Sequence, residues 1–231
     1  HVTLLGKMPA PKILVEAMAN VRPNVVVTVP LLIEKIVRKQ VFPKISRGVA
    51  KVAVKIPGVN NKIYAGIREK LIETFGGELS HVIIGGAPLN AEVEDFLTRI
   101  KFPFCVGYGM TECSPVISTT RPWKPNPKSV GQLIDNCEAK TVDGELWVRG
   151  SSVMQGYYKM PEETAATLED GWLKTGDLGY VDEEGFVYLT GRKKNLIITK
   201  NGENVSPEEL ENKLSLERLI QEVLVREHNG V

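Results

Sequence analysis

The chain has few residues of the kinds that build metal sites and disulfide frameworks. Its 231 residues include only three cysteines and three histidines. The cysteines are Cys105, Cys113 and Cys137, unevenly spaced and without a Cys-x-x-Cys pair. This pattern argues against a structural zinc site and a disulfide-stapled domain, and it suits a reducing cytoplasm. Cys113 has no histidine near it in the sequence, so we expect an inert thiol there and not a nucleophile.

Strong net charge and long apolar runs are also missing. A formal net charge of +1 gives no reason to expect nucleic acid as a partner. The longest apolar runs, such as Val25–Val29, have the length of a strand and not that of a membrane span. One basic stretch, Phe42–Asn61, is typical of a solvated face, and contact with an acidic phosphate or membrane surface is the alternative. The start, His1-Val2-Thr3, shows neither a secretory signal nor an initiator methionine, so we expect a fragment of a longer protein.

The first half of the chain alternates helical and strand patterns. Apolar residues at helical spacing predict four helices, the last of them capped by Asn90. These helices cover Pro11–Asn20, Leu31–Val37, Lys62–Phe75 and Asn90–Ile100. Apolar runs predict strands at Val25–Val29, His81–Ile84 and Phe102–Cys105. The first of these strands is β-branched throughout, as a strand covered on both faces should be. The alternation predicts a parallel α/β sheet.

From Val116 onward, short strand patterns replace this alternation. They predict an antiparallel β subdomain with a short helix inserted at Pro161–Leu168. The predicted strands cover Glu145–Arg149, Leu178–Val181 and Phe186–Leu189, with a turn at Asp182–Gly185 between the last two. A further piece follows, with strands at Leu196–Thr199 and Glu222–Arg226, a turn at Lys200-Asn201-Gly202 and a helix starting at Ser206-Pro207. We therefore expect an α/β portion over residues 1–115, a β-rich subdomain over residues 116–192 and a small domain over residues 193–231.

The stretch from Val106 to Glu112, Val-Gly-Tyr-Gly-Met-Thr-Glu, combines side chains that suit a nucleotide. The ring of Tyr108 can cover a base, and the hydroxyl of Thr111 can hydrogen-bond phosphate. The carboxylate of Glu112 can hold a hard cation such as Mg²⁺. Ligands of open α/β sheets bind beyond the carboxyl ends of the strands, where this stretch is expected. A glycine-rich turn with an ordinary surface Thr and Glu is the alternative.

Three other stretches could carry a ligand or be purely structural. Gly85-Gly86-Ala87 lets a ligand lie against the backbone or simply makes a tight turn, and it is not a dinucleotide or phosphate-loop fingerprint. Asp177, in a glycine-flanked loop before a strand, can accept two ribose hydroxyls or cap the turn. The stretch Gly191–Asn195 supplies cations or is only a basic loop between strands. The stretches Glu145–Gly150 and Gly156-Tyr157-Tyr158 are interpreted as structural.

In order and spacing, these stretches resemble the motifs of the adenylate-forming enzymes, the superfamily of acyl-CoA synthetases, luciferases and peptide-synthetase adenylation domains. The shared patterns are Gly-Gly-Ala-Pro, Tyr-Gly-x-Thr-Glu, Trp-x-x-Thr-Gly-Asp and the arginine-bearing Gly-Arg-Lys-Lys-Asn. Three stretches are most similar to bacterial long-chain fatty-acid–CoA ligases. They are Gly107–Pro115, Arg192–Ile198 and Asn201–Pro207.

The resemblance implies part of a large N-terminal domain, with a parallel α/β sheet and an antiparallel β subdomain, followed by the start of a small α+β domain. It also implies a role for each matched residue. Gly85, Gly86 and Ala87 would line the adenine and acyl pocket, Tyr108 would stack on adenine, Thr111 would touch the α-phosphate, Glu112 would bind Mg²⁺, and Asp177 and Arg192 would hold the ribose. Gly109 and Met110 belong to the same nucleotide-binding stretch, and Lys194 falls at the hinge before the small domain.

The implied activity is ATP-dependent conversion of a long-chain fatty acid to acyl-AMP and transfer of the acyl group to coenzyme A. ATP, Mg²⁺ and coenzyme A are the implied cofactors, in a cytoplasmic enzyme with peripheral contact at the inner membrane face as a further option. An enzyme with another acid or a carrier-protein acceptor is one alternative, and a non-catalytic nucleotide-binding relative is another. The family's phosphate loop and adenylation lysine are not in the chain, so we expect this piece alone to be inactive.

Overall fold

The computed structural model describes residues 11–45, 59–121, 126, 129–199, 203–214, 220 and 223–227. The chain divides into two units, His1–Cys105 and Val106–Val231. Much of the predicted basic stretch, including Arg47, Lys51 and Lys55, lies outside the described residues, as does the turn predicted at Lys200-Asn201-Gly202. No helix among the described residues is both long and apolar enough to cross a bilayer.

The first unit is built from helices and parallel strands. Its helices are α1 (Pro11–Val21), α2 (Pro30–Ile36), α3 (Phe42–Ile45), α4 (Val59–Thr74) and α5 (Ala91–Arg99). A π-helical segment, Val37–Val41, joins α2 to α3. Strands β1 (Val25–Thr28) and β2 (His81–Gly85) pair in parallel, with Val26 opposite Val82. The predicted alternation of helix and parallel strand is therefore confirmed.

Local signals set the ends of two of these helices. The Asn90 side chain accepts hydrogen bonds from the backbone N–H groups of Glu92 and Val93, which satisfies free donors at the start of α5. Helix α4 stops because Gly76 adopts a left-handed conformation, with a φ of +99°, which cannot continue a right-handed helix. Both ends fall where the sequence predicts them to within two residues.

The apolar core of the first unit lies on one face of β1 and β2. Val82, Ile84 and Leu97 are completely buried there, and Val26 packs against them from β1. The prediction that Val25–Val29 is covered on both faces is wrong for the described residues, since Val25 is 52% exposed and Val27 is 75% exposed. Successive side chains of a strand point to opposite faces, and the described part of this unit covers only one of them.

The second unit contains two antiparallel arrangements. Strand β3 (Phe104–Gly109) crosses the boundary between the units, and its last residues pair antiparallel with β4 (Val116–Thr119), which in turn pairs with β5 (Gln132–Leu133). The larger sheet has the strand order β10-β9-β7-β6. These strands are β6 (Cys137–Val142), β7 (Glu145–Gly150), β9 (Trp172–Val181) and β10 (Val187–Arg192), with β8 (Leu168–Glu169) paired to β9. The predicted antiparallel β subdomain is confirmed.

Short elements complete the second unit. Helix α6 (Pro161–Thr167) precedes β8, and helix α7 (Pro207–Leu214) follows the small pair β11 (Ile197–Ile198) and β12 (Asn204–Val205). The turn predicted between β9 and β10 is present, because the Gly185 N–H donates to the Asp182 carbonyl over 3.0 Å. The strand predicted at Glu222–Arg226 is wrong, since residues 223–227 lie outside any strand.

Strand β9 is the main departure from the sequence prediction. Its expected start was Leu178, with Asp177 in a preceding loop, but the strand begins at Trp172 and carries Asp177 in its interior. Leu173, Thr175 and Asp177 are buried on one side, and the residues between them lie on the other. The Gly-Asp pair resembles a turn by composition, but pairing with two neighbouring strands overrides that local preference.

Candidate functional site

Asp177 is the centre of a buried hydrogen-bonded cluster. The Tyr108 hydroxyl donates to its Oδ2 over 2.8 Å, and the Arg192 Nε donates to its Oδ1 over 2.8 Å. Asp177 is 5% exposed and Tyr108 is 9% exposed. Burial raises the pKa of the Tyr108 phenol well above its ordinary value, and the negative charge of Asp177 raises it further. The Tyr108 phenol therefore keeps its proton at neutral pH and remains a hydrogen-bond donor to Asp177.

Thr175 fixes the backbone that carries Asp177. Its hydroxyl donates to the Leu146 carbonyl of the neighbouring strand over 2.7 Å and accepts from the Asp177 N–H over 3.1 Å. The Thr175 side chain is buried, so these bonds are shielded from competing water. The carboxylate thus projects from a strand whose local geometry is held on both sides.

The end of β3 forms a sharp turn into a short 3₁₀ segment, Thr111–Cys113. Gly109 is needed there, because a Cβ atom at this position would lie 1.8 Å from the Pro115 carbonyl oxygen. The Met110 N–H donates to that same oxygen over 2.8 Å, which closes the turn. As a result Thr111 is exposed and Glu112 is half-buried beside it.

Glu112 is held by residues from the loop that follows β7. Its Oε1 accepts a 2.8 Å hydrogen bond from the Tyr157 hydroxyl, and its carbonyl accepts one from the Met154 N–H over 2.8 Å. The hydrogen bond to Glu112 raises the pKa of Tyr157, with burial as a second cause. The Tyr157 phenol is therefore a donor to this carboxylate at neutral pH.

A second buried carboxylate, Glu145, lies on β7. It is 4% exposed, and its Oε1 accepts from the Gly176 N–H over 2.9 Å while its Oε2 accepts from the Lys193 Nζ over 2.9 Å. Burial acts to raise the pKa of Glu145, but the Lys193 and Gly176 hydrogen bonds outweigh it and hold that pKa below its ordinary value. The hydrogen bond between Lys193 and Glu145 also raises the pKa of Lys193. Glu145 therefore ties the segment after β10 to the central strands.

Two cavities of the second unit open among these residues. The larger, about 630 Å³, is lined by Gly109, Met110, Thr111, Glu112, Thr175, Gly176, Arg192, Lys193 and Lys194. The smaller, about 440 Å³, shares several of these residues and adds Glu145, Tyr157, Ala166, Thr167, Leu173 and Lys174. Two threonines, a glutamate, two glycines and three cationic residues thus line the larger cavity. This combination suits an anionic ligand that carries phosphate groups.

The donor set fits a phosphate-bound magnesium ion better than a metal held by protein alone. Within the described ranges, no group of three or more His, Cys, Asp or Glu side chains could hold a metal ion. Mg²⁺ commonly keeps several waters and uses one or two carboxylates together with substrate phosphates. Glu112, beside the exposed hydroxyl of Thr111 on the wall of the larger cavity, supplies one such carboxylate.

Most residues named from the sequence are brought together in this unit. Gly109, Met110, Thr111, Glu112, Arg192 and Lys194 line one cavity, while Tyr108 and Asp177 form the buried cluster joined to Arg192. Gly85, Gly86 and Ala87 lie in the first unit, at the end of β2 and before α5, where Gly86 has a φ of +86°. Cys113 is buried, and burial raises its pKa to about 12, as expected for an inert thiol.

Several residues of the site, Thr175 among them, were not singled out individually from the sequence. Glu145 and Tyr157 lie in stretches interpreted as structural, and both line the smaller cavity and contact other site residues. Gly176 and Lys193 flank residues that were predicted, Asp177 and Arg192. A carboxylate directly before the apolar run Leu146–Val148 is the signal that could have marked Glu145.

Comparison with known proteins places these features in a family. A family model described as AMP-binding enzyme matches residues 1–158. The long-chain-fatty-acid–CoA ligase FadD15 of Mycobacterium bovis is 38% identical over 160 residues, covering 69% of this chain and 27% of that protein. A long-chain-fatty-acid–CoA ligase of Bacillus subtilis is 41% identical over 155 residues, covering 61% and 28%. The chain thus spans about a quarter of the length of these curated relatives.

Solved structures of one further enzyme share the fold. The o-succinylbenzoate coenzyme A synthetase MenE of Bacillus subtilis, in complex with AMP, matches with a TM-score of 0.69 and 25% identity over 96% of this chain and 42% of that one. Its complex with ATP and a magnesium ion matches with a TM-score of 0.65 and 25% identity, over 89% and 39% of the two chains.

Proposed function

Because the chain belongs to the AMP-binding enzyme family, we propose that the protein carrying it activates a fatty acid with ATP and transfers the acyl group to coenzyme A. In the first step a carboxylate oxygen bonds to the α-phosphorus of ATP, the bond to the bridging oxygen breaks, and pyrophosphate leaves. In the second step the coenzyme A sulfur attacks the acyl carbonyl, a thioester forms, AMP leaves, and the thiol proton passes to solvent.

The Asp177 cluster is the observation that carries this proposal. Its carboxylate is held by Tyr108 and Arg192, and Arg192 also lines the larger cavity. Each carboxylate oxygen has capacity for a second hydrogen bond, which suits the two hydroxyls of a ribose. In this arrangement Asp177 and Arg192 bind the ribose, and the Tyr108 ring stacks on the adenine.

Thr111 and Glu112 are assigned to the phosphates. The Thr111 hydroxyl, exposed at the turn after β3, hydrogen-bonds the α-phosphate, and Gly109 and Met110 supply the backbone beside it. Glu112 holds Mg²⁺, which when bound neutralises charge on the phosphates as pyrophosphate departs. We assign Gly85, Gly86 and Ala87 to the adenine and acyl pocket, and Lys194 to a hinge that closes a small domain between the two steps.

The long-chain character of the acid is the finer part of the proposal. It is supported by the names of the two ligases from Mycobacterium bovis and Bacillus subtilis. The MenE match, a synthetase for o-succinylbenzoate, shows that the same fold accepts a different acid. A cytoplasmic protein that contacts the inner membrane face would suit a long-chain substrate. A non-catalytic relative is disfavoured, since a protein that only binds nucleotide has no need of the Glu112 carboxylate.

ATP–pyrophosphate exchange tests the proposal in the full-length protein. We expect exchange to be stimulated by long-chain fatty acids across a panel of carboxylates, with thioester formed once coenzyme A is added. Exchange with only an aryl or amino acid would reject the fatty acid and keep adenylation. The absence of exchange with every acid, despite ATP binding, would reject the catalytic function.

The ribose assignment has its own test. Asp177→Asn removes a charge that accepts two hydrogen bonds, so we expect the KM for ATP to rise about tenfold or more. Asp170→Asn is the matched control, because Asp170 is exposed at a left-handed turn position that Asn tolerates well. An unchanged KM in Asp177→Asn would show that this carboxylate does not bind the ribose.

A further inference from the structure

Tyr157 and Glu112 are 45 residues apart in the sequence, and their side chains meet at the smaller cavity. The phenol donates a 2.8 Å hydrogen bond to Oε1 of the carboxylate. Both side chains line the cavity of about 440 Å³. The bond fixes one oxygen of Glu112 and leaves Oε2 for another partner.

The backbone around Tyr157 is tied to the same short turn that carries Glu112. The Met154 N–H donates to the Glu112 carbonyl over 2.8 Å, and the Ser114 hydroxyl donates to the Ser152 carbonyl over 3.0 Å. Two backbone segments are thus joined next to the side-chain contact. The position of the phenol relative to Glu112 is therefore set by more than its own rotamer.

The other side of Tyr157 is anchored to helix α6. Its N–H donates to the Thr164 hydroxyl over 2.9 Å, and that hydroxyl donates in turn to the Met160 carbonyl over 2.7 Å. The chain approaches Thr164 so closely at Gly156 that a Cβ atom there would lie 2.7 Å from the Thr164 methyl carbon. Tyr157 is consequently held from two directions, which is the arrangement expected of a group that orients another side chain.

The neighbouring Tyr158 is not held in the way that Tyr157 is. Tyr158 is 85% exposed, and the Lys159 ammonium lies 5.2 Å from the centre of its ring. Two adjacent tyrosines therefore differ sharply in their surroundings, with only the first directed at a site residue.

We propose that Tyr157 is a positioning residue for Glu112, holding Oε1 so that the carboxylate presents Oε2 to the magnesium ion that accompanies ATP. The inference rests on the proposed function, which assigns Mg²⁺ to Glu112. An unrestrained glutamate must lose rotamer freedom when it binds an ion, and a hydrogen bond made beforehand reduces that loss. Groups that hydrogen-bond a metal ligand typically contribute about 10–100-fold to metal affinity.

The test compares Tyr157→Phe, Tyr158→Phe and Glu112→Gln in the full-length protein. The measurement is the dissociation constant of α,β-methylene-ATP, which cannot release pyrophosphate, by calorimetry with excess Mg²⁺ and again with EDTA. The ratio of the two constants gives the contribution of the metal. We expect Tyr157→Phe to reduce that ratio about tenfold while leaving the metal-free constant unchanged. Tyr158→Phe should leave both constants as in the parent protein.

The outcomes separate the inference from the proposed function. If Glu112→Gln abolishes the metal contribution and Tyr157→Phe leaves it intact, the positioning role is wrong and the proposed function stands. If Tyr157→Phe weakens metal-free nucleotide binding by the same factor, its role is structural and the inference is overturned. If Glu112→Gln also leaves the metal contribution intact, the assignment of Mg²⁺ to Glu112 fails, and the inference fails with it.

Discussion

The Tyr108 hydroxyl and the Asp177 carboxylate, 69 residues apart, form a buried hydrogen bond of 2.8 Å. The bond joins the end of β3 to the interior of β9, so it connects the two stretches with the strongest nucleotide-binding patterns. It also gives Tyr108 two roles, since the hydroxyl holds Asp177 while the ring packs among the apolar residues around Cys113 and Ile117. The ring and hydroxyl contributions can therefore be separated by mutation.

Tyr108→Phe keeps the ring and removes the hydroxyl. Because a hydrogen bond between a buried phenol and a carboxylate is lost, we expect unfolding free energy to fall by about 1.5–3 kcal/mol in urea denaturation. The KM for ATP should rise, since Asp177 keeps only its Arg192 partner. Tyr180→Phe is the control, because Tyr180 is 50% exposed and stacks on Tyr188 through its ring. Equal stability of the two variants would contradict the prediction.

Gly109→Ala should be severely destabilising. The added Cβ would lie 1.8 Å from the Pro115 carbonyl oxygen, a backbone atom that cannot move without opening the turn. We expect a loss of about 3 kcal/mol or more in unfolding free energy, or failure to fold. Gly107→Ala on the same strand is the matched control, because its Cβ would be 4.0 Å from the nearest backbone atom. A similar melting temperature for both variants would rule out this explanation of Gly109.

Glu145→Gln should change how stability depends on pH. The folded-state pKa of Glu145 is lowered, so this carboxylate stabilises the protein above the ordinary value of 4.5 and ceases to do so as pH falls through the folded value. The pKa of Lys193 is raised, so its contribution is complete below 10.5 and is lost at more alkaline pH. The ion pair therefore stabilises the fold between these limits.

Urea denaturation at pH 7 and pH 3 measures this effect. We expect Glu145→Gln to lower unfolding free energy by about 1–2 kcal/mol at pH 7, because a buried charged acceptor is replaced by a neutral one. The difference from the parent protein should be smaller at pH 3 than at pH 7, because the stabilisation by the Glu145 carboxylate is lost progressively as the pH falls below 4.5. Glu138→Gln is the control, since Glu138 pairs with Arg149 at an exposed position. A difference that is the same at both pH values would contradict the lowered pKa of Glu145.

Cys113 should resist thiol reagents in the native protein. Its pKa is raised to about 12, chiefly by burial, so little thiolate exists near neutral pH. Labelling at pH 8 followed by mass spectrometry of the Cys113 peptide should show slow modification that becomes fast in denaturing urea. Stoichiometric labelling within minutes under native conditions would mean that the Cys113 thiol is accessible and reactive, and would contradict the prediction that it is inert.

The sequence predicts the features that depend on neighbouring residues. The Asn90 cap, the end of α4 at Gly76 and the turn at Asp182–Gly185 each arise from one or two side chains and a local conformation. The nucleotide-binding stretches could also be named, because each is a continuous pattern. The grouping of those in the second unit around one cavity follows from strand order, which short patterns do not encode.

The features that were not predicted depend on residues far apart in the sequence. Glu145 and Lys193 are 48 residues apart, and their ion pair exists only because β7 and the end of β10 both approach β9. Tyr157 similarly needs the turn at Glu112, 45 residues away. The extent of β9 was underestimated for the same reason, since pairing with β7 and β10 keeps this segment in the sheet even though Gly176 has a φ of +71°.

Strand β9 presents alternate residues to two different surroundings. Leu173, Thr175 and Asp177 are buried, and Trp172, Lys174 and Gly176 alternate with them as half-buried residues. A substitution alters one of these positions, but the loss or gain of a single residue before Trp172 would exchange the two sets along the whole strand. We therefore expect natural and laboratory variation in this strand to consist of replacements, with changes in length confined to the connections at its ends.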